Sequence, residues 1–598
     1  MNDSRNLILA IVLSLAIFGA WEYFVGAPQM KQEQQRQAQL HRQKAQPATA
    51  PKQAEAQPTQ HLSRASALKQ GGARIAIQTP SVDGSFRLKG ARLDDLKLKN
   101  YHETVDKKSP EIVLLSPESG PYPYYAAFGF TAPGSKMPVP TGSTNWTAQD
   151  QGPLTPAHPV TLTWDNGHGL LFSRTIAVDD KFMFTITDRV TNTSGAAIRL
   201  QPYAYVARDG VPPTQKYWVL HEGFVGVGDG SLKDPSYTDL KDDKPTQEFT
   251  STGGWLGITD KYWMAALIPP QNQPFEGVYS ASAGAVRHYQ ADYRLDPRGL
   301  AAGGTLSVTH HMFAGAKVFD TIRDYEHKLG IERFDLAIDW GWFIIITQPL
   351  FWLLDQLYHL LGNFGLAILA LTVIVKLVFF PIANAQYKSM AKMKKVQPEM
   401  ERIKERFKDD AQKQQQAMME LYRREKVNPV AGCLPMLLII PVFFSLYKVI
   451  FVTIELRHAP FFGWIHDLSA PDPTSLINLF GLLPFDPHAV LPSFLMFLSI
   501  GIWPILMGFT QWLQTKLNPA PADPIQAQMF SYMPLIFTFM FATFPSGLVI
   551  YYAWNNLLSV LQQYVMMRRQ GAEVHLLENL KPPAWARQLF AGKGDAQK

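Results

Sequence analysis

One lysine, Lys376, lies inside a long apolar stretch and is the clearest candidate for chemistry in this chain. The stretch reads GLAILALTVIVKLVFFPIANAQYKSMAKM and starts near Phe364. We predict a membrane-spanning helix with its cytoplasmic end near Gln386, which places Lys376 roughly 15 Å from that end. A lysine at this depth costs on the order of 2.5–3.5 kcal/mol, so an idle one is rare. The lysine predicts a wet cavity inside the membrane; a lysine paired within a helix bundle, or a shallower helix, is the alternative.

No pattern typical of catalysis accompanies this lysine. The sequence has no CxxC, no HExxH, no P-loop and no GxSxG in a strand-turn-helix context. The glycine-rich stretch from Gly223 to Ser231 lacks the βαβ setting of a dinucleotide site, so we predict a loop there. His310 and His311 fall in a strand pattern that points their rings to opposite faces, which makes a poor metal site. We therefore predict a protein that is not an enzyme and holds no cofactor or metal ion.

Composition indicates a membrane part diluted by a soluble part. The chain has 598 residues, 46% of them hydrophobic and 18% charged, and is too long for one domain. The single cysteine, Cys433, excludes a disulfide within the chain. Residues 1–27 are predicted to be an uncleaved transmembrane anchor, because the apolar stretch can span a bilayer and Pro28 should hinder cleavage; a cleaved signal peptide is the alternative. Residues 28–72 have almost no large apolar side chains and are predicted to be a disordered linker.

Residues 73–330 are predicted to form a large antiparallel β-sandwich. Short runs such as VTLTW, LLFSRTIAV and TLSVTHHMF alternate between apolar and polar residues and are bounded by turn residues. Because this domain follows a membrane anchor, we place it outside the cytoplasm, which in a Gram-negative bacterium, as the resemblance described below implies, is the periplasm. Trp218, Trp255 and Trp263 could bind sugar, but such residues more often lie in the core or contact a partner.

The remaining chain is predicted to be a polytopic helical core that brings the total to six transmembrane helices. Twelve Lys or Arg against seven Asp or Glu between Gln386 and Asn428 mark a cytoplasmic segment, and both termini follow the same rule. The fourth span is read as LPSFLMFLSIGIWPILMGFTQWL, and Lys448 of the third is expected to snorkel. The predicted segments are an interfacial amphipathic helix at 331–362, the second span at 363–385, a cytoplasmic helical hairpin at 386–428, spans three to six at 429–567 with a periplasmic loop at 455–491, and a basic cytoplasmic tail at 568–598.

Two further sets of residues could contact other molecules. In the hairpin, an apolar stripe recurs every three or four residues and favours an adaptable contact surface, with a solvated hairpin as the alternative. Asp409 and Asp410 could cap its second helix. Thr372 and the amides of the last span indicate either a hydrophilic pocket around Lys376 or hydrogen bonds between helices. The stripe consists of Met390, Met393, Val396, Met400, Ile403 and Phe407, and the amides are Asn555, Asn556, Gln562 and Gln563.

Several stretches carry a family resemblance. In order, they read PIANAQYKSMAKM with VQPEMERIKERF, EKVNPVAGCLPMLLIIPVFFSLY, RHAPFFGWIHDLSAPDP and FPSGLVIYYAWNNLLSVLQQ. With them the chain closely resembles the YidC membrane-protein insertases of Gram-negative bacteria, within the wider Oxa family, over essentially its whole length.

The resemblance implies a multi-pass protein of the bacterial inner membrane that inserts and folds nascent inner-membrane proteins, alone or with the Sec translocon. It implies a groove open to the cytoplasm and the lipid bilayer but closed towards the outside. Lys376 matches the groove's basic residue, commonly arginine in the family, so we expect attraction and hydration rather than bidentate carboxylate recognition. By the same matching, a substrate helix would pass Thr372, Ile440, Pro441, Met540 and Tyr552.

The resemblance also implies partners. The hairpin would receive substrate and contact the ribosome or targeting machinery, the β-domain would serve the Sec translocon, and no specific nucleic-acid sequence is expected as a ligand. Two other classes stay open. A secondary transporter or channel would show repeated spans and a second buried ionisable group. A membrane-anchored carbohydrate-binding or carbohydrate-active protein would show paired carboxylates or a histidine base in a cleft of the β-domain.

Overall fold

The computed structural model describes residues 62–212, 220–240, 246–282, 286–408, 410–425, 434–483, 485, 499–518 and 524–569. The predicted anchor at 1–27, the linker up to residue 61, Trp218, Asp409, Cys433 and the tail beyond Arg569 lie outside these residues. Within them, a β-rich part is followed by a helical part. The prediction of a large antiparallel β-domain ahead of a helical region is confirmed.

Two antiparallel sheets form the β-domain. In the described residues, one sheet has ten strands in the order β1-β2-β3-β5-β10-β17-β16-β13, with β4 paired to β3 and β18 paired to β10. The other has nine, in the order β12-β11-β14-β15-β19-β9-β8-β7-β6. The strands are β1 (Arg74–Gln78), β2 (Val82–Arg87), β3 (Arg92–His102), β4 (Glu111–Leu115), β5 (Tyr124–Thr131), β6 (Thr147–Ala148), β7 (Val160–Asp165), β8 (Leu170–Val178), β9 (Met183–Asn192), β10 (Ile198–Asp209), β11 (Gly223–Gly228), β12 (Ser231–Lys233), β13 (Thr246–Thr252), β14 (Trp255–Thr259), β15 (Trp263–Ile268), β16 (Pro274–Ala281), β17 (His288–Leu295), β18 (Arg298–Leu300) and β19 (Thr305–Ala316).

Side-chain alternation places apolar residues between the sheets. In β8 every second residue is buried, from Leu170 to Val178, as the period of a half-buried strand requires. Trp255 is fully buried and therefore belongs to the core. His310 is buried, whereas the ring of His311 lies on the other face and contacts the hydroxyl of Thr185 at 3.1 Å. The predicted opposite orientation of the two histidines is confirmed.

A buried ion pair ties the two sheets together. Arg174 of β8 donates from Nε to Asp188 Oδ1 at 2.7 Å and from Nη2 to Asp188 Oδ2 at 2.9 Å. The same Nη2 donates to the backbone oxygen of Phe128, on β5 of the other sheet, at 2.9 Å. Both charged side chains are at most 2% exposed. A bidentate pair with an additional backbone acceptor is the geometry that offsets the cost of burying both charges.

Two predictions at the edges of the β-domain are wrong. The linker was expected to reach residue 72, but helix α1 (Arg64–Gln70) already forms, because Ser63 caps its first turn and Arg64 pairs with Asp95. The stretch from Gly223 to Ser231 was expected to be a loop, but it forms β11 and starts β12. Its glycines allow close packing, since a Cβ on Gly226 would lie 2.4 Å from the Tyr279 hydroxyl.

After residue 318, the described residues form helices joined by turns and loops, without a strand. Short 3-10 turns occupy Phe334–Ala337, Ile454–Leu456 and Leu479–Gly481. The helices are α2 (Phe319–Leu329), α3 (Ile344–Leu361), α4 (Phe364–Val378), α5 (Phe380–Arg406), α6 (Ala411–Arg424), α7 (Leu434–Val452), α8 (Ile502–Leu517), α9 (Pro524–Phe541) and α10 (Ser546–Arg569). Within the described residues, no single helix is both long and apolar enough to cross a membrane, whereas the bent pair Phe364–Val378 and Phe380–Met393 meets that criterion together.

Helix boundaries differ from the predictions at three places. The predicted second span is not straight, because α4 and α5 meet at 62° around Phe379, ahead of Pro381. The predicted interfacial helix at 331–362 is helical as α3 only from Ile344, and α3 contains Pro349 in its first turns. In the predicted fourth span, residues 491–498 lie outside the described residues, residues 499–501 are not helical, and α8 begins at Ile502. The cap at Asp410 is confirmed, because its Oδ1 accepts from the Lys413 backbone at 3.0 Å.

The β-domain and the helices share one continuous apolar core, and polar contacts fix the junction between them. Lys448 of α7 was expected to snorkel, but it is only 7% exposed and its Nζ lies 2.6 Å from Asp339 Oδ2. The backbone N–H of His221, ahead of β11, donates to the same oxygen at 3.1 Å. Lys448 does not reach water because the carboxylate of Asp339, in the segment that follows the β-domain, already satisfies its ammonium group.

A buried glutamate forms a second contact at this junction. Glu455, in the turn after α7, accepts through Oε1 from the backbone N–H of Phe319 at 2.9 Å and so caps the start of α2. Burial raises the pKa of Glu455 from 4.5 to about 7, and the nearby carboxylates of Asp355 and Asp320 act in the same direction. The folded state therefore binds a proton that the unfolded chain releases at lower pH, so stability falls as pH rises from about 4.5 to about 7.

We expect Glu455→Gln to stabilise the protein at pH 8 but not at pH 4.5. The amide keeps an oxygen acceptor for Phe319 and removes the cost of a buried charge, which is worth about 2–3 kcal/mol above pH 7. The measurement is the thermal unfolding midpoint of the intact protein in detergent at both pH values. Glu420→Gln, which changes an exposed carboxylate on α6, is the control. An equal shift of the Glu455→Gln midpoint at both pH values would contradict the prediction.

Candidate functional site around Lys376

Lys376 joins two helices through a hydroxyl. It lies in the last turn of α4, and its Nζ donates to the Ser559 Oγ of α10 at 2.7 Å. Ser559 in turn donates to the Asn555 backbone oxygen at 2.7 Å, so its lone pairs stay available to the lysine. The lysine therefore has one neutral partner here, and the remaining donor capacity of its ammonium group can serve water or a bound anion.

The position of this site along α10 can be measured, because α10 is unbroken. This helix has 24 residues and a length of about 36 Å. Ser559 lies about 20 Å from its start at Ser546 and about 15 Å from its basic end at Arg569. Because α4 ends two residues after Lys376, the position of the charge is better measured along α10. Along that helix, the residue that holds the charge, Ser559, is far from both ends.

Polar side chains near Lys376 divide into two groups. Nδ2 of Asn556 lies 3.4 Å from Thr510 Oγ1 of α8, and Nε2 of Gln563 lies 3.0 Å from Oδ1 of Asn518, the residue that caps the end of α8. For these two, hydrogen bonding between helices is confirmed. Gln562, one turn after Ser559, has a buried Nε2 with no partner in the described part of the chain. Such a donor is costly unless water or a ligand reaches it.

Thr372 contributes less to a polar site than its position suggested. It is buried, and its hydroxyl donates to the Ile368 backbone oxygen at 2.7 Å within the same helix. This local bond satisfies the hydroxyl donor without a ligand. Ser559 was missed as a site residue, although a hydroxyl four residues after Asn555 in an apolar span was a visible signal.

Apolar side chains predicted to guide a substrate lie partly open. Ile440 of α7 is 41% exposed and Met540 of α9 is 43% exposed, while Pro441 is half-buried. Tyr552 of α10 is half-buried, and its ring centre lies 4.9 Å from that of Phe443 and 4.8 Å from that of Phe541. Tyr552 thus joins α7, α9 and α10 in an aromatic cluster, which lies about 10 Å along α10 from Ser559, on the side away from Arg569.

The hairpin formed by α5 and α6 is held by its own contacts. Arg424 of α6 pairs with Glu399 of α5. Met400 is buried at 6% exposure, so in this arrangement its side chain is not open to a partner, and its predicted role stays a prediction. Met419 of α6 is 53% exposed and was missed. The other predicted contact residues are half-buried and remain predictions: Met390, Met393, Ile403 and Phe407.

Comparison with known proteins identifies the family. A family model described as the YidC periplasmic domain matches residues 74–353, and one described as the 60Kd inner membrane protein matches residues 356–573. A membrane protein insertase YidC from Beijerinckia indica is 55% identical over 597 residues, covering 97% of this chain and 98% of the relative. The chain belongs to the YidC family of membrane protein insertases. The resemblance that the sequence motifs indicated is thereby confirmed.

Other relatives agree with this placement. The YidC insertase of Methylobacterium radiotolerans is 52% identical over 608 residues, covering 97% of each chain. A crystal structure described as an active YidC insertase with its first transmembrane domain resolved is 19% identical, covers 82% of this chain and 92% of that one, and superposes with a TM-score of 0.34. A score of that size carries no argument about arrangement, so the YidC assignment rests on the family models and the relatives.

Proposed function

We propose that this YidC-family chain inserts nascent inner-membrane proteins by drawing their polar tails to Lys376. The single observation that carries the proposal is the Lys376 Nζ to Ser559 Oγ contact, 2.7 Å long and far from both ends of α10. A cation held by one neutral hydroxyl, with no ion pair to a carboxylate found among the described residues, keeps its charge available to a substrate.

Lys376 and the apolar side chains of the proposed path would act on different parts of a substrate. The tail, carrying acidic residues, enters the polar site and is attracted by Lys376, which shortens the hydrocarbon that the tail must cross. The apolar segment slides past Ile440, Pro441, Met540 and Tyr552. Burial of that segment in lipid then supplies the free energy, and the membrane potential adds about 2.3 kcal/mol per charge per 100 mV. This scheme requires no covalent step and no nucleotide, which is why we propose a non-enzymatic insertase.

The orientation we propose places Lys376 in reach of the cytoplasm. α10 ends in Arg568 and Arg569, and the hairpin is rich in Lys and Arg, so both belong on the cytoplasmic side. The aromatic cluster around Tyr552 then lies towards the periplasm and supports closure of the groove on that side. Together with the anchor at 1–27, this gives six spans, cytoplasmic termini and a periplasmic β-domain.

Partners are proposed from charge and exposure. The basic hairpin, with Met419 exposed, suits the ribosome or the targeting machinery, and the β-domain suits the Sec translocon. The junction through Asp339 and Lys448 supports such a role, because a partner bound to the β-domain would be held in a fixed relation to α7.

The proposed path can be tested by disulfide crosslinking. We expect Met540→Cys, in a Cys433→Ser background, to crosslink to a cysteine in the middle of a stalled single-span substrate at least about five-fold more than Phe509→Cys. Phe509 of α8 is the matched control, because it is also apolar and 55% exposed but is not one of the residues of the proposed path. The measurement is adduct yield on non-reducing gels with reconstituted protein. Equal yields at the two positions would refute the path.

A further inference from the structure

A short apolar loop ahead of α8 presents large side chains to the outside. We define the apolar loop as residues 476–483. Leu482 is 82% exposed, Leu479 is 54% exposed and Leu476 is 49% exposed. The sequence has no charged residue between Asp472 and Asp486. A contiguous exposed apolar stretch of this kind marks an interaction surface rather than ordinary surface variation.

The exposure of these leucines follows from a defined backbone conformation of the apolar loop. Leu479 and Phe480 have φ of 51° and 58°, a left-handed conformation that side chains rarely adopt. Asn478 holds it, since its Oδ1 accepts from the backbone N–H groups of Ser475 and Gly481, both at 2.9 Å. Its Nδ2 donates to the Pro473 oxygen at 3.1 Å. A strained turn that aims leucines outward persists only when its surroundings fix it.

The same segment is attached to the first turn of α8. Asp472 is buried, and its Oδ2 accepts from the Trp503 N–H at 2.9 Å, while Thr474 Oγ1 accepts from the Ile502 N–H at 3.0 Å. These bonds satisfy N–H groups at the helix start. Gly501 permits the approach, since a Cβ there would lie 2.6 Å from Asp472 Cγ. The apolar loop therefore cannot move independently of the start of α8.

This attachment fixes the level of the apolar loop. α8 is one of the helices that we propose to span the membrane, and its exposed residues near the start are apolar: Ile505, Leu506 and Phe509. For this proposal, we place the boundary between water and hydrocarbon at the start of α8. An uncharged loop bound to that start lies at the boundary, continuous with the lipid-facing surface of α8.

We propose that the apolar loop inserts into the outer leaflet of the bilayer, with lipid acyl chains as its partner. The inference rests on the proposed function for the spanning role of α8 and for the side of the membrane. The loop offers no charge and places its most exposed residue, Leu482, at a tip, which suits entry into a fluid apolar layer better than docking on a protein with its own polar groups. The inserted loop would hold the start of α8 at the membrane surface.

The test measures depth in the membrane directly. Leu482→Cys, in the Cys433→Ser background, is labelled with a nitroxide in vesicles of phosphatidylethanolamine and phosphatidylglycerol. Its collisions with oxygen, which partitions into lipid, are compared with those with a water-soluble nickel chelate. Val105→Cys, at a 50% exposed site of the β-domain, is the water control, and Phe509→Cys is the lipid control. We expect the Leu482 label to favour oxygen at least about three-fold more than the Val105 label, and Leu476→Cys to behave alike.

Each other outcome overturns the proposal. A Leu482 label that matches the Val105 label lies in water. A Leu482 label shielded from both reagents is covered by protein and not by lipid. The vesicles contain no substrate, so this result is independent of insertion, which is measured separately in the same vesicles. A Phe509 label in water would instead refute the spanning role of α8.

Discussion

Lys376→Glu is expected to lower insertion of a single-span substrate with an acidic tail by about ten-fold or more. At an effective dielectric constant near 20, a charge about 8 Å from Lys376 gains on the order of 2 kcal/mol of attraction, and reversal turns this into repulsion of similar size. The loss falls on the step in which the tail enters the polar site. The measurement is the initial rate of protease-protected product in liposomes that contain only this protein.

Matched variants separate charge from shape at this position. Lys376→Arg keeps the charge and should retain most activity, whereas Lys376→Met keeps much of the length and should show an intermediate loss. Ser559→Ala leaves the charge but removes the hydroxyl that positions it, so a small loss confined to acidic tails is expected. A substrate with an uncharged tail is the internal control. If Lys376→Glu slowed both substrates equally, Lys376 would be a packing residue, and the shape of the groove would have to explain activity.

Arg174→Met is expected to destabilise the β-domain by about 3–5 kcal/mol. It leaves the buried carboxylate of Asp188 without its cation, and breaking a buried pair by removing one partner costs this amount. It also removes the donor to Phe128, one of the bonds between the two sheets. In a domain of this size, the loss corresponds to a fall of roughly 10 °C in the unfolding midpoint, measured on the intact protein in detergent.

A double variant tests the cause of that loss. Arg174→Met with Asp188→Leu removes both charges together, so no unpaired carboxylate remains, and most of the stability should return. His310 is the adjacent titratable group, and burial lowers its pKa to about 4, so it is neutral at pH 7 and cannot replace the arginine. If Arg174→Met alone were as stable as the unchanged protein, the ion pair would contribute nothing and the sheets would be held by apolar burial alone.

Patterns local in sequence predicted local structure well. The alternation in LLFSRTIAV predicted β8, and the opposite orientation of His310 and His311 followed from the same period. Asp410 was recognised as a helix cap because a carboxylate bonds to the backbone a few residues ahead of it. These features depend on neighbours along the chain, so no knowledge of distant contacts was needed.

Features that depend on distant partners were missed. Lys448 was assigned to water because its carboxylate partner, Asp339, lies 109 residues away. Residues 499–501 were predicted to be helical, but α8 begins at Ile502, where Asp472 and Thr474 from a segment about 30 residues earlier bond to its first N–H groups. Apolar composition favours a helix through Ser499–Gly501, but it carries no information about which acceptor will reach the backbone.

By itself, the sequence determined the class of the protein: its motifs identified the YidC family, and its charge pattern singled out Lys376 as a cation inside an apolar stretch. Only the tertiary structure decided that Ser559 holds this cation, that Asp339 neutralises Lys448 at the junction with the β-domain, and that leucines ahead of α8 face outward. The physical reason is the separation along the chain between the residues that each feature depends on. Hydropathy and helical or strand period are properties of adjacent residues, whereas the pairing of a charge depends on which remote atoms the fold brings within hydrogen-bond distance.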